Sequence, residues 1–450
     1  MKIVTPLRFV ATLLLSAFLW NTAHALPAFA RQTGQSCVAC HAGGQFPELT
    51  PYGRLFKLTG YTQGDKGNPL AAMVIASRTK TQNNIADDGS GAISAADSQA
   101  VFEVASLFAA GKVTDHIGGW AQYTYTHYDH QDSSGNWQSR IGADNTDFRY
   151  TDHLVDSSND LIWGLSLHNN PTMQDVWNST PAWGYPYASS TLGAFSNKPA
   201  AQPIIEGGLA QQVAGLGGYV FWDKRFYAEL TSYQTAKGPW AFLSLGNRTG
   251  DPYHPLIYLD GSNPYWRLAY NYEWGPQNIM VGAFGFNAKT LPLDAMNNPL
   301  FGMGTTQYKD MGMDAQYQYL LSPHTFTAQA RYVKENINDA TGQTYTDGAA
   351  YLNMFKTKAS YVYRAKYGAS LAYNNIMGSP DSGAYASSAT NMPNTTFWTP
   401  EIFWLPYENV RVGLQFNYFT QYAGSKYNYD GNGRNAADNN TTYLYLWAAF

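Results

Sequence analysis

From about Leu70 to the last residue the chain repeats one pattern: apolar and polar side chains alternate with a period of two, stretch after stretch. In Asn409 to Tyr422, Val410, Val412, Leu414, Phe416, Tyr418 and Tyr422 share one parity, and Asn409, Arg411, Gln415, Asn417 and Gln421 share the other. Trp266, Leu268, Tyr270, Tyr272 and Trp274 alternate with Arg267, Asn271 and Glu273; Met313, Ala315, Tyr317 and Tyr319 alternate with Asp314, Gln316 and Gln318. Leu161, Trp163, Leu165 and Leu167 alternate with Ser166 and His168. Successive side chains of a strand point to opposite faces, so each stretch reads as a strand with one apolar and one polar face. A half-buried soluble sheet alternates too, and one strand decides nothing. Repetition over most of the chain is the signature of membrane strands facing lipid and lumen in turn.

The connections carry a second rhythm. Short turns fall near Val113-Thr114, Ser157-Ser158, Asp223-Lys224, Gly275-Pro276, Ser322-Pro323, Arg364-Ala365 and Pro406-Tyr407. Between them lie longer polar loops near Asp87 to Asp97, Asp129 to Asp144, Asn169 to Pro203, Lys237 to Asn263, Ala288 to Thr306, Asn336 to Gly348, Gly378 to Thr395 and Ala423 to Asn440. Short periplasmic turns and long external loops are the habit of outer-membrane barrels, and the count comes to about sixteen strands, an even number that leaves both termini in the periplasm. The chain ends Tyr443-Leu444-Tyr445-Leu446-Trp447-Ala448-Ala449-Phe450. A terminal phenylalanine on an alternating strand resembles the last strand by which outer-membrane proteins are recognised for insertion.

Composition narrows the choice. Charged residues are 13% of the chain, against roughly a quarter in soluble domains. Aromatics are 15%, with 34 tyrosines and 13 tryptophans, while a mean hydropathy of -0.35 excludes a bundle of apolar transmembrane helices. Together these values fit a barrel with a lipid face, a polar lumen and aromatic girdles; a large β-sandwich or lectin-like protein is the soluble alternative. At the start, Lys2 and Arg8, the apolar run Phe9 to Trp20 and Ala23-His24-Ala25 read as a signal peptide over residues 1–25. A net charge of -4 lends no support to a nucleic-acid partner.

Ahead of the barrel segment, residues 69–450, stands a small module, residues 26–68. It carries Cys37-Val38-Ala39-Cys40-His41, the attachment signature of haem c. Two sulfurs and one imidazole must reach fixed points around one macrocycle, which is why the spacing is strict. A disulfide between neighbouring cysteines and a thioredoxin-like redox pair are the competing readings, and neither needs the histidine. These are the only two cysteines, so a zinc site of four thiolates is impossible. A module this small needs help to stay folded. Covalent haem is one such aid and a surrounding barrel wall another. Gly60 to Asn68 reads as its linker.

Ala30-Arg31-Gln32-Thr33-Gly34, the haem motif, Leu49-Thr50-Pro51-Tyr52-Gly53-Arg54, Phe56-Lys57-Leu58 and Gly60-Tyr61-Thr62 resemble the fused cytochrome–porins, monohaem outer-membrane cytochromes best known from iron-oxidising bacteria. The likeness extends to Asp144-Asn145-Thr146-Asp147-Phe148-Arg149-Tyr150, Asn169-Asn170-Pro171, Asp175, Trp177 and Thr180-Pro181-Ala182-Trp183. Residues 190 to 440 match mainly in pattern. The resemblance implies a haem module plugged into a barrel of about sixteen strands. It implies electron uptake from extracellular Fe(II) and delivery to a periplasmic c-type cytochrome.

His41 follows from the motif as the proximal iron ligand. No methionine lies between Leu26 and Asn68, and His41 is the only histidine there. A second protein ligand must come from elsewhere: Met73, whose alternation with Ile75 suggests a lipid-facing side chain, or His153 or His168, which share parity with lumen residues. Water is the alternative. Arg31, Arg54 and Lys57 flank the motif and suit haem propionates, or are ordinary lumen charges. Asp87, Asp88, Asp132, Asp144, Asp430 and Asp438 are expected in external loops as hard donors for a transient iron cation, or simply as turn residues. The Asn-Asn-Pro and Pro-Ala-Trp loop either folds inward and narrows the pore or stays outside. Three function classes remain: a conduit fed by Fe(II), the same conduit with another external donor or acceptor, and a diffusion porin with a structural haem. A haem enzyme has no distal acid–base pair visible here.

Overall fold

The computed structural model describes residues 27–450 apart from 45, 86–95, 132–136, 156–159, 193–197 and 247–255. The signal segment, the Ser157-Ser158 turn, Asp87, Asp88 and Asp132 therefore lie outside the described residues.

Sixteen strands, from β1 (Leu70–Thr81) to β16 (Thr441–Ala449), form one closed barrel in which each pairs with its sequence neighbours. The seam is an antiparallel ladder between β1 and β16, with Met73 opposite Ala449 and Ser77 opposite Tyr445. Phe450 completes it, exchanging backbone hydrogen bonds with Ala72 at 2.8 and 3.0 Å. Closure leaves no unpaired edge, which is what a sheet in hydrocarbon requires. The expected turns at Asp223-Lys224, Gly275-Pro276, Ser322-Pro323 and Arg364-Ala365 all join adjacent strands. The last turn sits slightly later than expected: β14 runs Thr395–Tyr407 and β15 starts at Val410. Asp144, expected in a loop, lies inside β4 (Trp137–Val155), because β3 (Ile117–Gln131) and β4 extend the ladder outward.

The parity of the strands follows the sequence pattern. In β8 (Asn263–Trp274) Leu268 is 56% exposed on the outside while Arg267 is fully buried within. In β10 (Thr306–Leu321) Met313 is 67% exposed and Asp314 is buried. Leu414, Phe416 and Tyr418 of β15 face out and Gln415 and Asn417 face in. Tyr422, expected on the lipid face, packs instead with Phe419 and Tyr429 beneath a long loop, since the strand has ended at Gln421. At the short-turn rim Trp222, Phe226, Tyr272, Trp274, Tyr367, Trp404 and Tyr407 are exposed; Tyr351, Trp398 and Tyr418 ring the other end. Two aromatic girdles around an apolar waist mark the two membrane interfaces.

The lumen is filled from both ends. Three short helices, α1 (Pro27–Thr33), α2 (Cys37–Cys40) and α3 (Pro51–Leu58), occupy its short-turn end. From the opposite end the long connection between β5 (Asp160–His168) and β6 (Val213–Trp222) folds inward, burying Asp175, Trp177 and Thr180 completely or nearly so.

Candidate functional site

The Cys-x-x-Cys-His segment is one turn of helix closed by its own backbone. His41 N–H donates to the Cys37 carbonyl at 2.8 Å, and the loop returns so that Thr50 N–H donates to Cys40 O at 2.9 Å and Ala42 N–H to Glu48 O at 2.9 Å. Thr50 then caps α3, its hydroxyl accepting from Gly53 N–H at 3.2 Å with Pro51 following. A capping threonine before proline is a helix start readable in the sequence. Two helices thus meet at this segment, and Cys37 and Cys40 emerge one turn apart, not joined in a disulfide.

The barrel wall holds this module by ion pairs and hydrogen bonds. Cys37 N–H donates to Glu408 Oε2 at 3.1 Å, Lys358 pairs with Glu48, and Arg54 pairs with Glu273 at 2.7 Å while donating to Asn278 and Gln318. Glu408, Glu273 and Gln318 all stand beside short turns, which puts the module at the periplasmic mouth but inside the cylinder. Lys57 spends three donors on the inward loop: Met173 O at 2.8 Å, Asp175 O at 2.6 Å and Asn178 Oδ1 at 2.9 Å. Plug and loop are therefore one packed unit. The wall charges beneath them are dehydrated. Arg149 with Asp147, Arg267 with Asp175 and Asp314, and Arg331 with Glu206 are all buried. Unpaired charges could not be sustained there, so the pairing is what makes a filled lumen possible.

Cys37, Cys40 and His41 line a cavity of about 570 Å³, within the roughly 300–1,000 Å³ usual for cofactor sites. Its walls near the motif are Phe29, Phe46, Phe56, Trp120, Trp183 and Tyr187. The His41 ring contacts Phe46 edge-on at 5.8 Å, and Phe46 in turn meets Trp183 and Tyr187 at 6.1 and 6.2 Å. His41 Nδ1 is buried without a hydrogen-bond partner. Burial pushes the imidazole down to about 4, so it is neutral, and a lone pair is available, at physiological pH.

The other expected site residues scatter. Lys57 lines the cavity but its ammonium is committed to the loop; Arg54 is committed to Glu273, and Arg31 reaches the backbone of Asn68 and Leu70. Neither arginine lines the cavity. His168 is bound to Tyr233 at 2.7 Å and His153 is exposed on β4, and neither reaches the cavity. Met73 does, with Ile75, which corrects the expectation that it faces lipid. Asp144 lines the cavity as well, while Asp430 and Asp438 cap backbone turns within one loop. Among the described residues no group of three or more His, Cys, Asp or Glu is placed to hold a metal ion. Trp183 and Tyr187, which nothing in the residue order marks as cavity wall, belong to the loop that carries the Asn-Asn-Pro and Pro-Ala-Trp stretch.

A closed, even-numbered antiparallel barrel with an apolar waist, aromatic rims and an inward loop defines this chain as an outer-membrane β-barrel protein of the Gram-negative envelope. No family model matches it, and no curated protein does. Similar solved structures include OmpF of Salmonella typhi in complex with daunomycin, 11% identical, covering 85% of this chain and 97% of that one, with a TM-score of 0.48. The outer-membrane channel DcaP of Acinetobacter baumannii is 12% identical, with 85% and 96% covered and a TM-score of 0.45. OmpT of Vibrio cholerae with loop L8 deleted is 10% identical, with 85% and 98% covered and a TM-score of 0.43.

Proposed function

We propose that the protein is an outer-membrane electron conduit: one haem c held inside the barrel takes electrons from an extracellular donor, Fe(II), and passes them to a periplasmic c-type cytochrome. The observation that carries this reading is the position of the haem motif. Cys37, Cys40 and His41 lie within the lumen on a shared cavity, not on a domain hanging below it. The residues fit the group: two thiols one helical turn apart, an imidazole with an orphaned buried nitrogen, and aromatic walls. Cys37 and Cys40 would hold the macrocycle by thioethers and His41 its iron, supplying a one-electron carrier. The apolar band of such a barrel is roughly 25 Å tall, and tunnelling weakens steeply with distance. A single carrier serves both faces only from inside. The chain's own part is to fix that carrier, exclude water around it with Phe46, Trp183 and Tyr187, and seal the lumen with paired charges.

A second reading, a solute channel whose haem is structural, is favoured by the length of the cavity, which runs from Gln35 and Glu408 to Gln202 and Gly207. The two readings part in one set of measurements on purified protein. The conduit requires a haem spectrum that reduces when Fe(II) is added and vesicles that do not swell in sugar. An oxidised spectrum unchanged by Fe(II) under a favourable potential removes iron as donor. Swelling with sugars removes the sealed conduit.

A further inference from the structure

The plug holds one imidazole and no thioether, so a second protein ligand to a haem held there would come from the wall or the inward loop. On β1 the residues Ala71, Met73, Ile75, Ser77 and Thr79 turn inward: Ala71, Ser77 and Thr79 are buried, and Met73 and Ile75 line the cavity. Met73 packs into the apolar cluster that also holds Phe29, Phe56, Trp183 and Tyr187. Among the cavity-lining residues it is the one methionine, and His41 the one histidine.

Most other donors around the cavity are committed. Lys57 has its three carbonyl and amide partners. Tyr61 hydroxyl donates to Asp147 at 2.7 Å, Tyr445 to Glu401, and Lys356 to Glu206 at 2.7 Å. Tyr185 and Asn170 are exceptions, the hydroxyl of one and Oδ1 of the other buried without a partner; both belong to the inward loop, where the Tyr185 ring lies under the Arg331 guanidinium at 5.7 Å, and both are hard oxygen donors. The thioether is also the better chemical match, because it is soft, polarizable and uncharged in an apolar wall.

We propose, resting on the haem reading above, that Met73 is the sixth ligand of the iron, so that the barrel's first strand and the plug grip one haem from the two boundaries of the cavity. His41 on the plug and Met73 on the wall line the same cavity, so one group bound there is within the reach of both elements. Methionine–histidine ligation raises the reduction potential, which suits a carrier that must accept electrons from outside. The bond would also tie the plug to the strand that closes the barrel.

The test uses the full-length haem-loaded protein, with the mass of the intact chain reporting covalent attachment and heat-dependent gel mobility reporting the folded barrel. The oxidised wild type is expected to show the weak near-infrared band of methionine-ligated haem. Met73→Leu is expected to keep haem and fold, lose that band, fall in reduction potential and bind carbon monoxide, which the wild type excludes. Met73→His is expected to give a bis-imidazole spectrum. Absence of the band in the wild type overturns the proposal even if no variant folds. So does a Met73→Leu spectrum identical to wild type, or loss of the wild-type ligand set in Tyr185→Phe alone. A wild-type chain with no covalent haem would instead remove the underlying haem reading.

Discussion

A side chain at Gly53 has no room. A Cβ there would stand 2.1 Å from the Cys40 carbonyl oxygen, because α3 lies directly against the Cys-x-x-Cys-His turn. That carbonyl is fixed by Thr50 N–H, so it cannot swing away cheaply. Gly118 plays the same part for the wall, where a Cβ would stand 2.4 Å from the Gly60 carbonyl oxygen. Overpacking of this kind costs roughly 1–3 kcal/mol. With haem bound as proposed, Gly53→Ala is expected to lower the fraction of chains that carry it covalently while the barrel still folds, read as the ratio of holo to apo mass. An unchanged ratio would show that α3 and the motif turn are not coupled as described. Tyr52-Gly53-Arg54 was visible as a motif in the sequence; the contact that demands glycine was not, since it joins two helices through a backbone oxygen.

Among the elements, the loop between β13 (Tyr367–Gly378) and β14 is organised by one carboxylate. Asp381 accepts from the backbone N–H groups of Gly383, Ala384 and Asp347 and from the Thr346 hydroxyl. Burial opposes the charge, but these donors outweigh it and hold the carboxyl down at about 2. Its unfolded value is about 3.9. A depressed value means stability present above the unfolded pKa and lost as the pH falls through the folded one. The loop is therefore expected to resist proteolysis unchanged from pH 7 to about 4 and to open on acidification toward 2. Asp381→Asn should be cleaved faster at pH 7 and show a weaker acid dependence. Equal cleavage of the two proteins at neutral pH would count against this account. Where a strand's inner face meets the plug, the sequence pattern loses its meaning: Ala71, Met73 and Ile75 are as apolar as Leu70, Ala72 and Val74 opposite them. Period-two reasoning cannot assign a parity when both faces need apolar side chains, one for lipid and one for the plug. The inward turn of Met73 is hidden from the sequence for that reason.

For the molecule as a whole, the ladder from β1 to β16 closes through direct strand pairing, and no plug residue takes part in it. The hold of plug on lumen is a separate matter, made by Arg54 against Glu273 and by Lys57 against the inward loop. Removing residues 27–68 is expected to leave a barrel that inserts and shows the same heat-dependent mobility, but that passes sugars in a swelling assay. Failure of that variant to fold would mean that the buried wall pairs, left without their cover, are part of the barrel's stability. Breaking one such pair by removing a partner costs about 3–5 kcal/mol.

Alternation, turn spacing and the terminal phenylalanine are local properties, repeated often enough that the barrel, its approximate strand number and its lipid face could be read from residue order alone. The Cys-x-x-Cys-His turn is local too, because all its reactive atoms lie within five consecutive residues. Tertiary structure alone decided where that turn sits, which way Met73 points, and that Arg54 and Lys57 serve wall and loop instead of the cavity. Those choices join residues dozens to hundreds of positions apart, through packing and charge pairing in an enclosed lumen, and no periodicity along the chain encodes them.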